Sequence, residues 1–166
     1  QIPPTEIDTY FRHQQIQGYV HDMAAAMEGG VGGHAGIFSN SMDVAKMMQM
    51  YLQKGFYGGQ QYIQESTVKQ WTTYPFSMEE NSRRGIGFDK VDRKKPGISA
   101  AASASASSFG HSGFTGSLVW ADPKYDINYV FLSNRVWRSR QSHVSQCQPS
   151  TGSHGHDHGV SHDSLA

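Results

Sequence analysis

The stretch FGHSGFTG at residues 109–116 contains side chains that could take part in acyl transfer. Near neutral pH a histidine can relay a proton or hold an anionic group, and a serine hydroxyl can donate a hydrogen bond. Acyl transfer also develops negative charge on an oxygen, which fixed backbone N–H groups stabilise. The glycines leave space that a Cβ would fill. The stretch is therefore either a glycine-rich turn or one wall of an active site.

A second group of candidate residues lies near the end of the chain. Histidines spaced by two can chelate zinc, nickel or copper. The histidine-rich run at residues 154–163 lacks one spacer of the metallo-hydrolase pattern, and it has no strand-loop scaffold to fix its geometry. We therefore predict weak opportunistic metal binding, no built metal site and no cofactor. The residues are His154, His156, Asp157, His158, His162 and Asp163.

The composition limits the classes of protein and partner. A chain of 166 residues with 18 glycines and 37% apolar residues suits one globular domain with many turns. The 14 basic residues balance the 14 acidic ones, so we expect no nucleic-acid partner, and no apolar run approaches the length of a membrane span, about 20 residues. The single Cys147 excludes an internal disulfide. The chain starts without methionine or a signal peptide, and we expect it to be a fragment of a longer protein.

Residue patterning predicts which elements surround the candidate site. We predict loop and short strand over residues 1–27, then a turn with five glycines between residues 29 and 36. Ser39 or Asn40 is predicted to cap a helix over residues 40–53, with Asp43 completing a capping box. A second helix is predicted over residues 65–73.

The remaining chain predicts strands and two regions without a core. We expect one strand bearing Ile86 and Phe88, and an antiparallel hairpin of residues 116–121 and 127–134. Residues 99–108 have no large side chain to bury and are predicted to form a surface loop. Residues 139–166 are predicted to be a disordered tail, rich in His, Ser and Gly.

Two stretches together resemble a known family. They are GGVGGHAGIFSNSMDVAKMMQMYLQKG at residues 29–55 and FGHSGFTGSLVWADPKYDINYVFLSNRV at residues 109–136. They are similar to the C-terminal half of the serine β-lactamase-like hydrolases, which include class C β-lactamases, D-alanyl-D-alanine peptidases and esterases. The resemblance covers residues 1–138 and is strongest to the β-lactamase-related modules fused to family 3 glycoside hydrolases in Bacteroidetes. It implies an α+β fold, here a partial β-lactamase/transpeptidase-like fold, in which helices flank an antiparallel sheet with strands near residues 86, 109, 117 and 128.

The resemblance also implies roles for individual residues. The backbone N–H of Phe114 is implied to be an oxyanion donor, while Ser112 donates a hydrogen bond and Gly113 leaves room for substrate. His111 is implied to stand where the family usually has a lysine, to orient a substrate carboxylate or relay a proton. The residues implied to bind substrate or to shape a cleft wall are His34, Gly36, Thr115 and Gly116.

The family's other two boxes are not found in this sequence. The family's nucleophile is the serine of an upstream Ser-x-x-Lys box, and a Tyr-x-Asn or Ser-x-Asn box supplies a second proton relay. The sequence has no Tyr-x-Asn or Ser-x-Asn, and its one Ser-x-x-Lys is Ser66 to Lys69. Only 45 residues separate Ser66 from His111, where the family has most of a helical domain. We expect helix capping to explain Ser66 and a solvated surface to explain Lys69.

Three hypotheses for function follow. The first is the C-terminal part of a serine hydrolase of amides or esters, which binds its acyl substrate together with a missing N-terminal half and is located in the periplasm or at the cell envelope. The second is a non-catalytic module that binds a cell-wall peptide or glycan. The third is an inert domain with a metal-carrying histidine tail.

Overall fold

The computed structural model describes residues 2–74, 83–92, 97 and 100–137. The predicted tail at residues 139–166, with its histidines, lies outside the described residues. Within the described part the elements are β1 (Pro4–Asp8), β2 (Gln14–Gln17), α1 (Met23–Met27), α2 (Ser41–Leu52), β3 (Phe56–Tyr57), β4 (Gln60–Gln61), α3 (Glu65–Thr72), β5 (Asp89–Lys90), β6 (Phe109–Ser112), β7 (Leu118–Asp122) and β8 (Ile127–Phe131).

The main sheet has four antiparallel strands in the order β5-β6-β7-β8. Helix α2 packs on one face of it, where Met48 joins Phe109 and Ala121 in a buried apolar cluster. On the sheet itself Gly110 lies opposite Trp120, and a Cβ at Gly110 would overlap the carbonyl oxygen of Val119. Helices beside an antiparallel sheet confirm the predicted α+β class.

Helix α2 begins and ends close to the predicted positions because its cap is strong. The Asn40 side chain accepts a hydrogen bond from the Asp43 backbone N–H at 2.9 Å and donates one to the Asp43 carboxylate at 2.7 Å. Helix α3 also matches its predicted range, but its cap does not. Gln64 occupies the N-cap position without a side-chain hydrogen bond, so the expectation that Ser66 caps this helix was wrong.

Two predicted elements differ from the structure. Residues 4–17 form the β1-β2 hairpin, and α1 follows, where we had predicted loop and short strand. The strand predicted at Ile86 and Phe88 is instead a turn, in which the Gly85 N–H donates to the Phe88 carbonyl at 2.7 Å and Gly87 has φ +79°. The short strand β5 begins only at Asp89. Alternating apolar residues cannot extend as a strand where a left-handed glycine closes a turn.

The loop before β6 is anchored, although its sequence predicts only a surface position. Ser108 is fully buried. The buried Lys90 ammonium donates to the carbonyls of Ser107 and Ser108 at 3.0 and 2.6 Å. The backbone N–H of Ser105 donates to the Asp122 carboxylate at 2.8 Å. Polar anchors, which hydropathy does not register, therefore bind this loop to the sheet.

A buried cluster of Glu6, Asp8 and Arg12 holds the N-terminal hairpin together. The Arg12 guanidinium contacts Asp8 at 2.7 Å and Glu6 at 2.8 Å, and the two carboxylate side chains are at most 2% exposed. The same guanidinium donates to the carbonyl oxygens of Val20 and His21 at 2.6 and 3.0 Å. One side chain therefore fixes both the hairpin and the position of the segment that follows it.

The pKa of Asp8 predicts how stability depends on pH. Burial alone raises this pKa, but hydrogen bonds from the Arg12 side chain and from the backbone N–H groups of Phe11, Tyr10 and Arg12 outweigh it and hold the pKa well below its usual range. A folded-state pKa below the unfolded value, about 3.9, stabilises the fold above that pH and loses this contribution as the pH falls through the folded pKa.

We therefore expect the free energy of unfolding to decrease below about pH 4, and to decrease less steeply in the variant Asp8→Asn. The pKa of Asp122 is also lowered, since hydrogen bonds from Ser105, Lys124 and Tyr125 outweigh its burial, so some acid sensitivity should remain in the variant. Urea denaturation at a series of pH values measures how steeply the free energy of unfolding changes with pH in the natural chain and in the variant. Equal slopes in the two proteins would contradict the role of Asp8.

Candidate active site

The turn after β6 shapes the candidate site. The Gly113 N–H donates to the Ser117 carbonyl at 2.7 Å, and the Gly116 N–H donates to the Gly113 carbonyl at 3.0 Å. Gly116 has φ +100°, and a Cβ there would overlap the Ser133 hydroxyl. A tight turn with a left-handed last residue explains why glycine is needed at position 116. This turn places Ser112, Gly113 and Phe114 at the end of the strand.

Phe114 is held by residues from two distant segments. Arg135, just after β8, donates from Nε to the Phe114 carbonyl at 2.7 Å and from its backbone N–H to the Thr115 carbonyl at 2.9 Å. Its guanidinium lies 4.8 Å from the centre of the Phe114 ring. The His21 ring stacks on the same phenyl ring at 5.4 Å. The peptide groups around Phe114 are therefore fixed, which a preorganised oxyanion donor requires.

His111 contacts an arginine. Its Nε2 lies 3.1 Å from the Arg84 guanidinium and its Nδ1 lies 2.8 Å from the Ser112 carbonyl oxygen. Arg84 also contacts the Asp89 carboxylate at 2.7 Å, and Arg83 contacts that carboxylate at 3.0 Å. Two guanidinium groups thus share one buried carboxylate beside the histidine.

An open cleft of about 390 Å³ lies beside this turn. Arg83 and Asp89 line it together with the end of β6, the turn and the start of β7, namely Ser112, Gly113, Gly116, Ser117 and Leu118. The cleft combines an arginine paired with a carboxylate, a serine hydroxyl and glycine backbone, and such polar groups can hold a carbonyl-containing ligand.

The glycine-rich turn lies elsewhere. His34 Nε2 is 2.9 Å from Asp22, the N-cap residue of α1, and both side chains are largely exposed. Hydrogen bonds from the Ala25 backbone N–H and from His34 lower the pKa of Asp22. Gly36 has φ +119°, and a Cβ there would lie 2.6 Å from the Gly30 carbonyl oxygen. Neither His34 nor Gly36 is among the described residues that line the cleft. Their role in substrate binding stays a prediction, as does that of Thr115.

Ser66 and Lys69 are exposed on α3, and neither is among the described residues that line the cleft. Across residues 2–74, 83–92 and 100–137, the side chains of His, Cys, Asp and Glu form no group of three or more suited to holding a metal ion. In that same part of the chain, no helix combines the length and the apolar character that crossing a membrane requires.

The cleft gives a prediction for a matched pair of glycine variants. A Cβ at Gly113 would meet its nearest atom, the Ser117 carbonyl oxygen, at 3.7 Å, which is ordinary contact, whereas at Gly110 it would overlap sheet backbone. We expect Gly113→Ala to change the free energy of unfolding by less than about 0.5 kcal/mol and Gly110→Ala to lower it by about 1–3 kcal/mol. Urea denaturation measures both changes. A large loss of stability in Gly113→Ala would contradict an open cleft at that position.

The fold agrees with the comparison to known proteins. The β-lactamase family model matches residues 5–143. The chain therefore belongs to the β-lactamase family and is a member of the serine β-lactamase-like hydrolase superfamily.

Its relatives include proteins of two enteric bacteria. A protein of Escherichia coli K12 named "Putative D-alanyl-D-alanine carboxypeptidase" is 38% identical over 125 residues, which are 75% of this chain and 28% of the relative. A Salmonella enteritidis protein with the same name is 35% identical over the same shares of both chains. The chain thus spans less than a third of the length of these relatives.

The sequence predicted the strand β6 but not the side chains that contact its end and the turn after it. Arg83, Arg84 and Asp89 lie in a segment that we had interpreted as an ordinary strand, although the double arginine was a visible signal. Arg135 lies within the stretch at residues 109–136 that resembles the family, but the resemblance implied no role for it. For His21 the sequence has no signal, because its position beside Phe114 depends on the N-terminal hairpin.

Proposed function

We propose that this chain contributes the oxyanion wall of a serine hydrolase that cleaves amides or esters through an acyl-enzyme. The observation that carries the proposal is the fixed Phe114 segment beside an open cleft lined by Ser112 and Gly113. In such a reaction the nucleophile attacks the carbonyl carbon, and N–H donors stabilise the oxygen that becomes negatively charged. The D-alanyl-D-alanine named in the relatives suggests a peptide that ends in D-alanine, in the periplasm or at the cell envelope.

We propose further that the nucleophile comes from a region outside this sequence. The only Ser-x-x-Lys of the chain is on α3, with both side chains exposed and outside the cleft. The matched relatives have more than two thirds of their length outside the matched region, which offers room for the missing boxes.

Intact-mass spectrometry tests both parts of the proposal. The 166-residue chain is incubated with a reactive penicillin and, separately, with a fluorophosphonate, with Ser66→Ala as the control. A chimera is treated in the same way, in which this chain replaces the matching segment of the E. coli relative. We expect a stoichiometric adduct on the chimera and none on the folded chain alone. An adduct on the chain that is lost in Ser66→Ala would overturn the external nucleophile.

A non-catalytic peptide-binding module is the second candidate. The observation that favours it is the cleft itself, which has a serine at Ser112 but no lysine among its described lining residues to activate the hydroxyl. If the chimera folds, binds a D-alanyl peptide and forms no adduct, the binding module replaces the hydrolase.

A further inference from the structure

We propose that His21 is a positioning residue of the candidate active site, which holds the turn at Phe114 in place from the side of the N-terminal hairpin. His21 is not among the described residues that line the cleft, and it acts through its contact with the Phe114 ring. The proposal rests on the proposed function, because the step that it supports is stabilisation of the oxyanion by the Phe114 N–H.

The imidazole of His21 contacts both the buried cluster and the turn. Its Nε2 lies 3.3 Å from a carboxylate oxygen of Glu6, and its ring stacks on Phe114 with 5.4 Å between the ring centres and 27° between the ring planes. The His21 side chain is only 11% exposed, whereas Phe114 is 61% exposed. An exposed ring changes rotamer within nanoseconds unless a neighbour restricts it, and here the buried imidazole is such a neighbour.

The main chain of His21 is fixed separately from its ring. The Arg12 guanidinium donates to the carbonyl oxygens of Val20 and His21 at 2.6 and 3.0 Å. It also contacts Glu6 at 2.8 Å, the same residue whose carboxylate faces the imidazole. The backbone and the ring of His21 are therefore both tied to one buried cluster, which makes this histidine a rigid support for the turn.

The N-terminal hairpin reaches Phe114 by a second route as well. The Asn134 side chain donates to two carbonyl oxygens of β1, at 2.6 and 3.1 Å. The next residue, Arg135, donates to the Phe114 carbonyl at 2.7 Å and lies 4.8 Å from the centre of its ring. Contacts through His21 and through Asn134 thus converge on one residue. Residues far from β6 in the chain therefore preorganise the Phe114 N–H.

Nitrogen-15 relaxation of the 166-residue chain tests the positioning without any turnover. We expect an order parameter of about 0.85 for the Phe114 N–H, the value of rigid backbone, and a fall toward about 0.6 in His21→Gln. His21→Phe keeps an aromatic ring beside Phe114 and should stay close to the natural chain. Equal order parameters in the natural chain and His21→Gln would overturn the proposal.

In the chimera the same two variants should separate acylation from stability. His21→Gln keeps a polar group beside Glu6 but loses the stacked ring, so the acylation rate with a reactive penicillin should fall about three- to tenfold while the urea midpoint changes little. His21→Phe places an apolar ring against a buried carboxylate, so the midpoint should fall while the rate stays within about twofold. Rates that follow the midpoints in both variants would overturn the positioning role.

A double-mutant cycle tests whether His21 acts through the Phe114 ring. In the background Phe114→Ala there is no ring to hold, so His21→Gln should then change the acylation rate by less than about twofold. Multiplying effects of the two substitutions would show that His21 acts by another route and would overturn the proposal.

Val68→Ala is the matched control for lost stability. Val68 is buried on α3, and no residue of that helix is among the described residues that line the cleft. The substitution leaves a cavity and should lower the urea midpoint without changing the acylation rate. If it slowed acylation as much as His21→Gln does, the effect of His21 would be one of general stability.

These outcomes are separable from those of the proposed function. The order parameter of Phe114 supports or overturns the positioning on the chain by itself. The adduct on the chimera supports or overturns the hydrolase. A fall in the order parameter in His21→Gln, together with a chimera that forms no adduct, keeps His21 as the support of the turn and discards the hydrolase.

Discussion

Replacing Arg12 with alanine is expected to lower the free energy of unfolding by about 3–5 kcal/mol, because it leaves two buried carboxylates without their shared cation. Glu6 and Asp8 are each 1% exposed, and the Arg12 guanidinium contacts both. Urea denaturation near neutral pH, followed by circular dichroism, measures the loss.

Two further variants separate charge from position. Arg12→Lys keeps the positive charge but cannot reach both carboxylates and two carbonyl oxygens at once, so we expect an intermediate loss of stability. Lys124→Ala removes an exposed lysine that lies over the Tyr125 ring and should change stability by less than about 0.5 kcal/mol. If Arg12→Ala were no more destabilising than Lys124→Ala, the hairpin would not depend on the buried cluster.

Replacing Phe114 with proline in the chimera is expected to slow acylation about 10²- to 10³-fold, because we propose its N–H as an oxyanion donor and removing one such donor costs about this factor. Phe114 is the second residue of the turn that the hydrogen bond between Gly116 and Gly113 closes. Proline is favoured at that turn position, so the substitution removes the N–H while the turn is kept. The rate of adduct formation with a reactive penicillin measures the effect.

Phe114→Ala is the matched control, because alanine also loses the ring contacts with His21 and Arg135 but keeps the backbone N–H. We expect its acylation rate to lie well above that of Phe114→Pro. Equal rates in the two variants would show that the ring, and not the N–H, is the group that matters for acylation. Such a result would move the oxyanion donor to another residue.

Local patterns predicted the elements whose stability is local. The Asn40 cap and its spacing to Asp43 placed α2 within one residue at its start, because a capping box acts within one turn of helix. The hairpin of β7 and β8 was predicted from two β-rich runs around Asp122-Pro123-Lys124, and the observed strands lie within them except for a one-residue extension to Asp122. The family stretch at residues 109–136 likewise led to the family, which the match over residues 5–143 confirms.

Local patterns failed where a turn or a polar contact decided the structure. Ile86 and Phe88 alternate as in a strand, yet the hydrogen bond from Gly85 to Phe88 closes a turn there. Residues 99–108 were predicted to form a surface loop, yet Lys90 on β5 and Asp122 on β7 form hydrogen bonds with this loop. Hydropathy measures burial of apolar side chains and does not register such polar anchors.

The sequence by itself determined the family, the α+β class, the helix α2 and the strand that carries His111 and Ser112. Each of these depends on residues close together in the chain, whose caps, turns and alternation act over a few positions. Only the tertiary structure decided which side chains surround that strand. Arg84 lies 27 residues before His111, and Arg135 lies 21 residues after Phe114. Contacts across such separations form only when sheet register and turn geometry bring distant segments together, and no local pattern in the chain encodes that register.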